Sequence, residues 1–382
     1  MITVVLKNGD RKETVEFPCS ERILAVTEER LGNDGSPFVD EILSPKHLSA
    51  IAGHFVNIDE LNYLAKRLES FDTTELNCFL AVAQKNNMAH LPELINLTFN
   101  SGAYVLISDM SNLRSVGQRY VLTTRGGIAN DELEKMDLEK IGRDLLNSGK
   151  GEITECGILF KNEEWQYEEP YDGENFPLYD YRSSSTIMEL AYNGKNEYLY
   201  LPDEEIAIDK AVKRLGAEKV EECHCSFVEY GFNDTNDSYF ENLLDEIKGK
   251  EGVFGVNDTL DEISEILEDD KESEKLVAVI EHTGRKNSKD IKAIVDNFDS
   301  FIFVEGALDH ENVGRFFIDN VYEYYFDSEL EDYIDFDGFG EMIDNDFSGE
   351  FIHDLGYVCL KENVSMDEIF DDDENEEISQ TM

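Results

Sequence analysis

Short runs of acidic side chains are the groups in this sequence most able to do chemistry. A pair such as Asp335 and Asp337 could hold Mg²⁺, and the surrounding segment could form a calcium loop, because both cations prefer oxygen ligands. An EF-hand loop requires acids or amides at positions 1, 3 and 5 and a glycine at position 6. Counted from Asp332, positions 3 and 5 are Ile334 and Phe336, so the calcium pattern fails. We therefore expect these acids to act through their charge.

Other catalytic and metal-binding signatures are also missing from the sequence. It has no glycine-rich phosphate loop, no GxSxG elbow and no HExxH or HxH spacing. Its six cysteines include no CxxC pair, and Cys223-His224-Cys225 lacks a second half at zinc-ligand spacing. The cysteines are interpreted as structural thiols without disulfides. The sequence thus predicts a protein that is not an enzyme and uses no cofactor or metal.

The net charge of the sequence indicates which class of molecule the protein can bind. The 382 residues include 85 acids and 33 Lys or Arg, a formal charge of -52. Such a charge opposes compaction, yet 41% hydrophobic and 11% aromatic residues predict folded domains with real cores. A surface this acidic repels phosphate backbones and anionic lipids, which argues against nucleic-acid or membrane binding. It attracts a basic groove on another protein.

No apolar run of about 18 residues predicts a spanning helix, and the alternating start MITVVLKNGDRKETVEF is unlike a signal peptide. A cytoplasmic location is expected.

Two diverged copies of one unit occupy residues 1–162 and 187–361. In each copy a β-rich run is followed by a proline, Pro18 or Pro202, then by a helix with acids in its first turn. A glycine ends this helix 14 residues after the proline in both copies, so the offset is 184. Proline at a helix start and glycine at its end are physically favoured, which makes the ungapped match a strong signal.

Three further landmarks follow in the same order. An acidic helix start at Ile58-Asp59-Glu60-Leu61 is matched to Leu260-Asp261-Glu262-Ile263 with an offset of 202, which places extra residues in 231–258. A strand at Tyr104-Val105-Leu106-Ile107 is matched to Phe301-Ile302-Phe303-Val304 with an offset of 197. Each copy then closes with a short helix and a hairpin.

These landmarks predict an α+β protein, an elongated chain of small domains made from two tandem copies of a three-domain unit. The predicted segments are an opening α+β domain, a helical middle domain and a closing α+β domain in each copy, with an acidic linker and a disordered acidic tail: 1–57, 58–90, 91–162, linker 163–186, 187–258, 259–287, 288–361 and tail 362–382.

The closing segment carries a family resemblance. The run Tyr333-Ile334-Asp335-Phe336-Asp337-Gly338-Phe339-Gly340, continued by Phe347-Ser348-Gly349-Glu350-Phe351 and Leu355-Gly356-Tyr357, resembles the end of the ArdA antirestriction family. Ile58-Asp59-Glu60-Leu61-Asn62 resembles the start of its middle domain, and Tyr200-Leu201-Pro202 with Leu215-Gly216 its opening domain. Copy one departs at Lys140-Ile141-Gly142, where the family signature has aromatic and acidic residues.

The resemblance implies a DNA-mimicking protein of mobile elements that blocks type I restriction-modification enzymes by occupying their DNA groove. At one charge per roughly 1.7 Å of duplex, 52 charges correspond to about 26 base pairs. Candidate mimic residues are the acids predicted to align on helix faces and in the closing segment: Asp59, Glu60, Glu69, Asp72, Glu75, Asp261, Glu262, Glu265, Glu268, Asp269, Asp270, Glu329, Glu331, Asp332, Asp335, Asp337, Glu341, Asp344 and Asp346.

Alternatives stay open at this point. A charge imitation has little intrinsic target specificity, so a CRISPR effector or another DNA-binding defence protein is the competing target. The acidity could also serve solubility in high salt, although that would not produce the family landmarks. Two copies in one chain are compatible with a pseudo-dimeric monomer or with a homodimer.

Overall fold

Small three-stranded sheets alternate with helices along the whole chain, so the predicted α+β class is confirmed. The computed structural model describes residues 1–32, 36–125, 128–179, 186–232 and 236–370. The chain divides into two compact units: Met1–Ser183 with Glu189–Leu199 and Ile206–His224, and Ser184–Met188 with Tyr200–Glu205 and Cys225–Met382.

Copy one opens with an antiparallel sheet and one helix. These elements are β1 (Ile2–Asn8), β2 (Arg11–Phe17), α1 (Glu21–Leu31) and β3 (Phe38–Ser44), followed by a 3-10 helix at Lys46–Ile51. The strand order is β2-β1-β3, and alternate residues of β1 such as Val4 and Leu6 are fully buried. Ser20 caps the start of α1, and Gly32 ends the helix with a φ of 88°. Both helix ends therefore lie where the sequence signals predicted them.

The rest of copy one is a helical middle followed by a second sheet. The elements are α2 (Ile58–Glu69), α3 (Thr73–Lys85), α4 (Leu91–Thr98), β4 (Tyr104–Ile107), α5 (Leu113–Arg125), α6 (Asn130–Glu134), α7 (Leu138–Asn147), β5 (Glu152–Thr154) and β6 (Gly157–Lys161), with a 3-10 turn at Ser101–Ala103. The strand order is β4-β6-β5. Val105, Ile107 and Phe160 of this sheet pack against Val116 of α5.

The predicted acidic linker is packed against copy one. Residues 163–179 form no helix or strand, but Tyr171, Phe176 and Tyr179 are buried. The buried side chain of Asn100 accepts hydrogen bonds from Trp165 Nε1 and Glu168 N, each at 3.0 Å, and donates to Glu168 O. Buried aromatic side chains and hydrogen bonds to Asn100 thus hold this segment against copy one, and we call residues 163–179 the strap. Positions 180–185 of the predicted linker lie outside the described residues.

The elements of copy two and of the residues that follow it repeat most of those in copy one. They are β7 (Thr186–Tyr192), β8 (Lys195–Leu201), α8 (Glu205–Leu215), β9 (His224–Glu229), α9 (Asp237–Ile263), α10 (Asp270–Thr283), α11 (Ser288–Asp296), β10 (Phe301–Glu305), α12 (His310–Phe316), α13 (Phe336–Phe347), β11 (Glu350–Ile352), β12 (Gly356–Leu360) and α14 (Met366–Phe370). Shorter turns connect them: 3-10 helices at Val220–Glu222, Ile266–Glu268, Phe298–Ser300 and Ser328–Tyr333, and a π-helical turn at Phe317–Val321.

Sheet topology supports the internal duplication. The orders β8-β7-β9 and β10-β12-β11 repeat β2-β1-β3 and β4-β6-β5. In both copies the helices that cover the closing sheet also cross through paired glycines. A Cβ on Gly117 would collide with the carbonyl oxygen of Leu138, and one on Gly142 with that of Leu113. Gly314 and Gly340 make the equivalent approach in copy two, against the carbonyl oxygens of Phe336 and His310.

The predicted match of Asp59 to Asp261 is wrong. Helix α9 is kinked at Gly252, which has a φ of 72°, and its second half corresponds to α2. The buried Asn62 in α2 accepts a hydrogen bond from Cys19 N, one residue after Pro18. Asn257 in α9 accepts one from Asp203 N, one residue after Pro202. This shared contact sets an offset of 195 instead of 202.

The correction also moves a domain boundary. The predicted start of the second helical middle domain, at residue 259, falls inside α9. The extra residues of copy two are the first half of that helix, within the predicted stretch 231–258. Asp261 therefore lies in a last helical turn, and the sequence match was misled because the same Asp-Glu pair occurs at a helix start in copy one.

The predicted disordered tail, 362–382, begins with ordered structure. Helix α14 has a buried Ile369, and the guanidinium of Arg285 lies 4.7 Å from the ring centroid of Phe370. Positions 371–382 lie outside the described residues. Across the described part of the chain, no helix has both the length and the apolar character needed to cross a bilayer.

Candidate acidic interaction surface

Two of the predicted mimic residues in copy one are half-buried, Asp59 in an ion-pair network and Glu60 beside a tyrosine hydroxyl. The Asp59 carboxylate, near the start of α2, is 2.8 Å from Lys210 Nζ and 3.7 Å from the Arg214 guanidinium. Glu60 accepts a hydrogen bond of 2.9 Å from the hydroxyl of Tyr171 in the strap. Burial raises the pKa of Glu60, an effect that the Tyr171 hydrogen bond partly offsets. Asp59 and Glu60 therefore do not present free charge, which corrects the sequence expectation.

The network continues through two more buried acids. Lys210 Nζ also lies 3.1 Å from Glu21, and Arg214 Nε lies 2.8 Å from Glu197. Burial alone would lower the pKa of Lys210, but Asp59 and Glu21 reverse this effect and raise it above its ordinary value. Burial raises the pKa of Glu197 despite the opposing effect of Arg214. These charges neutralise one another between helices of the two copies.

The other predicted acids of copy one have local helical roles or are exposed. Asp72 caps α3, accepting hydrogen bonds from the backbone N–H groups of Glu75 and Thr74, which hold its pKa below the usual value. The carboxylate of the half-buried Glu75 accepts a hydrogen bond from the backbone N–H of Asp72, which completes a capping box. Glu69 is exposed at the end of α2.

The middle-domain acids of copy two are more available. Five are exposed in the last turn of α9 and around the start of α10: Asp261, Glu265, Glu268, Asp269 and Asp270. The sixth, Glu262, is half-buried and forms an ion pair with Lys292. With the offset of 195, Asp261 and Glu262 stand where copy one has Lys66 and Arg67. Acids at a helix C-terminus oppose the helix dipole, so helix stability does not explain this charge reversal.

Most of the predicted acids in the closing segment are exposed. Seven point to solvent around the Ser328–Tyr333 turn and α13: Glu329, Glu331, Asp332, Asp335, Asp337, Glu341 and Asp346. Of these, Glu331 forms an ion pair with Arg315. The eighth, Asp344, is half-buried, with its carboxylate 3.3 Å from His310 Nε2. Among the predicted acids, the exposed ones are therefore most numerous in the closing segment of copy two.

Equivalent positions in copy one have a different charge. Residues 316–360 contain 13 acids and no Lys or Arg, whereas the matching residues 119–161 contain 8 acids and 7 Lys or Arg. On α7, Glu139 pairs with Arg143 one turn later. The corresponding positions of α13 hold Asp337 and Glu341, two acids at the same i,i+4 spacing. Like charges at this spacing destabilise a helix, so the substitution is not explained by folding.

The same asymmetry extends over the whole copies. Residues 1–162 contain 24 acids and 17 Lys or Arg, a net charge of -7. Residues 187–361 contain 45 acids and 15 Lys or Arg, a net charge of -30. The net negative charge of the two copies therefore lies mainly in copy two. A charge count for each copy would have found this from the sequence alone.

Metal sites and reactive thiols are the other kinds of site to consider at the described residues. Among them, no group of three or more His, Cys, Asp or Glu is placed to hold a metal ion. Burial raises the pKa of Cys78 to about 11 and that of Cys359 to about 12, so both thiols stay protonated at neutral pH. The arrangement offers concentrated negative charge on helices and turns.

Comparison with models of known protein families gives no match for the chain, and neither does comparison with curated proteins.

Proposed function

We propose that this protein is a DNA mimic that inhibits type I restriction-modification enzymes in the cytoplasm of a bacterial host. In this proposal the carboxylates of copy two take the place of DNA phosphates. The supporting observation is the net charge of -30 of copy two, together with the exposed acids of its closing segment at positions where the first copy has nearly balanced charge. At one charge per roughly 1.7 Å of duplex, this corresponds to about 15 base pairs.

The chemistry is electrostatic competition. A restriction enzyme holds DNA in a basic groove, and neutralisation of phosphates dominates the affinity. Exposed carboxylates on helices offer charges of the same sign in a rigid arrangement, so they bind the groove without being cleaved or methylated. The first copy, with its nearly balanced charge, serves as the folded support for the second.

The direct test is displacement of a labelled duplex from the methyltransferase core of a type I enzyme, followed by fluorescence anisotropy. The full chain should displace the duplex at physiological salt, and its own binding to the core, measured without duplex, should weaken as salt rises because screening weakens the attraction. An unrelated folded protein of equal net charge is the matched control. Equal displacement by that protein would overturn the target assignment.

The alternative target is another DNA-binding defence protein, such as a CRISPR effector. Charge imitation alone favours neither target, so the same displacement assay with such an effector separates them. Light scattering on the isolated chain tests its oligomeric state. A monomeric mass would favour two copies acting as a covalent pseudo-dimer, and a doubled mass would favour a homodimer.

A further inference from the structure

Large apolar side chains are exposed beside the acids of the closing segment. Tyr325 is 96% exposed, Tyr333 85%, Tyr324 57% and Leu330 53%. Several large exposed side chains with apolar surface in one short segment are typical of an interaction site in a folded protein. We call these four residues the aromatic patch.

The segment that carries the patch is anchored at several points. Tyr322 packs on the closing core and stacks against Tyr324, with ring centroids 5.4 Å apart. The Ser328–Tyr333 turn begins at Asp327, which accepts a hydrogen bond from Glu329 N. The guanidinium of Arg315, in the neighbouring helix α12, lies 2.8 Å from the carboxylate of Glu331. The backbone of the segment is therefore held in place before a partner binds, which reduces the ordering entropy that binding costs.

Copy one shows what this segment looks like without such a patch. Its equivalent excursion also leaves the helix that crosses the sheet, but its apolar residues turn inward. Val121, Leu133 and Leu138 form a buried cluster with Ile128 and Met136 packed against it. The exposure of the rings is therefore specific to copy two, the same copy that carries the excess charge.

Charge decides which occupant fits the patch. The patch lies within residues 316–360, where 13 acids and no Lys or Arg occur. A second copy of this chain would bring like charges together, which opposes self-association through this face. A basic protein surface has the complementary charge.

We propose that the aromatic patch inserts into the basic DNA-binding groove of the inhibited enzyme and supplies most of the salt-independent affinity. This inference rests on the proposed function. The acids steer the two proteins together and set the salt dependence, while the rings provide contact area that salt does not screen. Tyrosine is enriched among the residues that dominate binding energy at interfaces.

The test is the duplex displacement assay with the double variant Tyr325→Ala/Tyr333→Ala. Both side chains are exposed, so the fold should be unaffected, and circular dichroism checks this. The variant keeps every acid of the segment. We expect it to displace duplex roughly 10-fold less well than the wild type at 0.15 M salt, with an unchanged dependence on salt. The control variant Phe55→Ala/Ile153→Ala removes exposed apolar side chains of copy one and should behave as the wild type.

The outcomes separate the two proposals. If the wild type displaces duplex and the double variant does so equally well, the proposed role of the aromatic patch in binding is overturned, whereas the proposed DNA mimicry stands. If the wild type does not displace duplex, both fall. If the wild type is a dimer that the double variant dissociates, the patch serves self-association and this inference is wrong.

Discussion

Lys210 in copy two donates a hydrogen bond from Nζ to the Oδ1 atom of Asp59 in copy one, at 2.8 Å. The contact joins α8 to the start of α2 within one compact unit. It assigns Asp59 to a contact between α8 and α2, and removes it from the surface on which the sequence had placed it.

Loss of Lys210 should destabilise the protein. Its side chain is only 12% exposed and faces carboxylates of Asp59, Glu21 and Glu28, so Lys210→Met leaves the buried carboxylates of Asp59 and Glu21 without their nearest cation. We expect the free energy of unfolding to fall by about 3 kcal/mol in urea titrations. Lys213→Met, on the exposed side of the same helix, should change it by less than ~0.5 kcal/mol. Equal effects of the two variants would contradict the network.

The effect of Lys210→Met should depend on pH. Because the pKa of Lys210 is raised in the folded protein, its contribution is fully present below the unfolded pKa of about 10.4 and is lost as pH rises through the folded value. The stability difference between wild type and variant should stay constant from pH 7 to about 10 and shrink at higher pH. A difference that grew above pH 10 would have the wrong sign for this ion pair.

The glycine crossing in the closing domain should tolerate no side chain. Gly314→Ala places a Cβ against the carbonyl oxygen of Phe336, and we expect a loss of about 1–3 kcal/mol in thermal or urea unfolding. The control is Gly249→Ala in α9, where a Cβ meets no atom within 4 Å. That change should be neutral or stabilising, because alanine favours helix. Two neutral results would mean that the helices cross less closely than described.

Asn100 should hold the strap in place. Asn100→Ala removes the hydrogen bonds to Trp165 and Glu168, so the strap should loosen around the only tryptophan. We expect a red shift of Trp165 fluorescence and faster proteolysis within residues 163–179. Asn297→Ala is the matched control, because the side-chain amide of Asn297 donates to Ala293 O within its own helix. An unchanged spectrum in the Asn100 variant would contradict this role.

Much of the fold could be predicted from the sequence, because local signals specify it. Pro18 and Gly32, with their partners Pro202 and Gly216, bound two helices, and the β-rich runs at Tyr104 and Phe301 became strands. The alignment of α2 with the equivalent part of α9 could not be predicted, because it depends on the hydrogen bond between the Asn62 side chain and a backbone group distant in sequence. The packing of the strap was missed for a similar reason. Its many acidic residues indicated a solvated linker, whereas burial of its aromatic side chains depends on tertiary contacts.

The candidate surface was predicted only in part. Exposed acids such as Asp337 and Glu341 were identified by composition and helical spacing alone. Whether an acid is free depends on tertiary partners, and the pairing of Asp59 with a lysine 151 residues away carries no local signal. The exposure of the Tyr325 and Tyr333 rings could not be predicted either, because tyrosine occurs both buried and exposed and its burial depends on tertiary packing.

The central claim is that exposed acids of copy two imitate DNA, and one comparison tests it most directly. Two triple variants enter the duplex displacement assay: Asp337→Asn/Glu341→Gln/Asp346→Asn in copy two, and Glu16→Gln/Glu29→Gln/Glu132→Gln at exposed positions of copy one. Both lose three charges. We expect the copy-two variant to displace duplex roughly 10-fold less well than the wild type, and the copy-one variant to match the wild type. Equal behaviour of the two variants would contradict the claim.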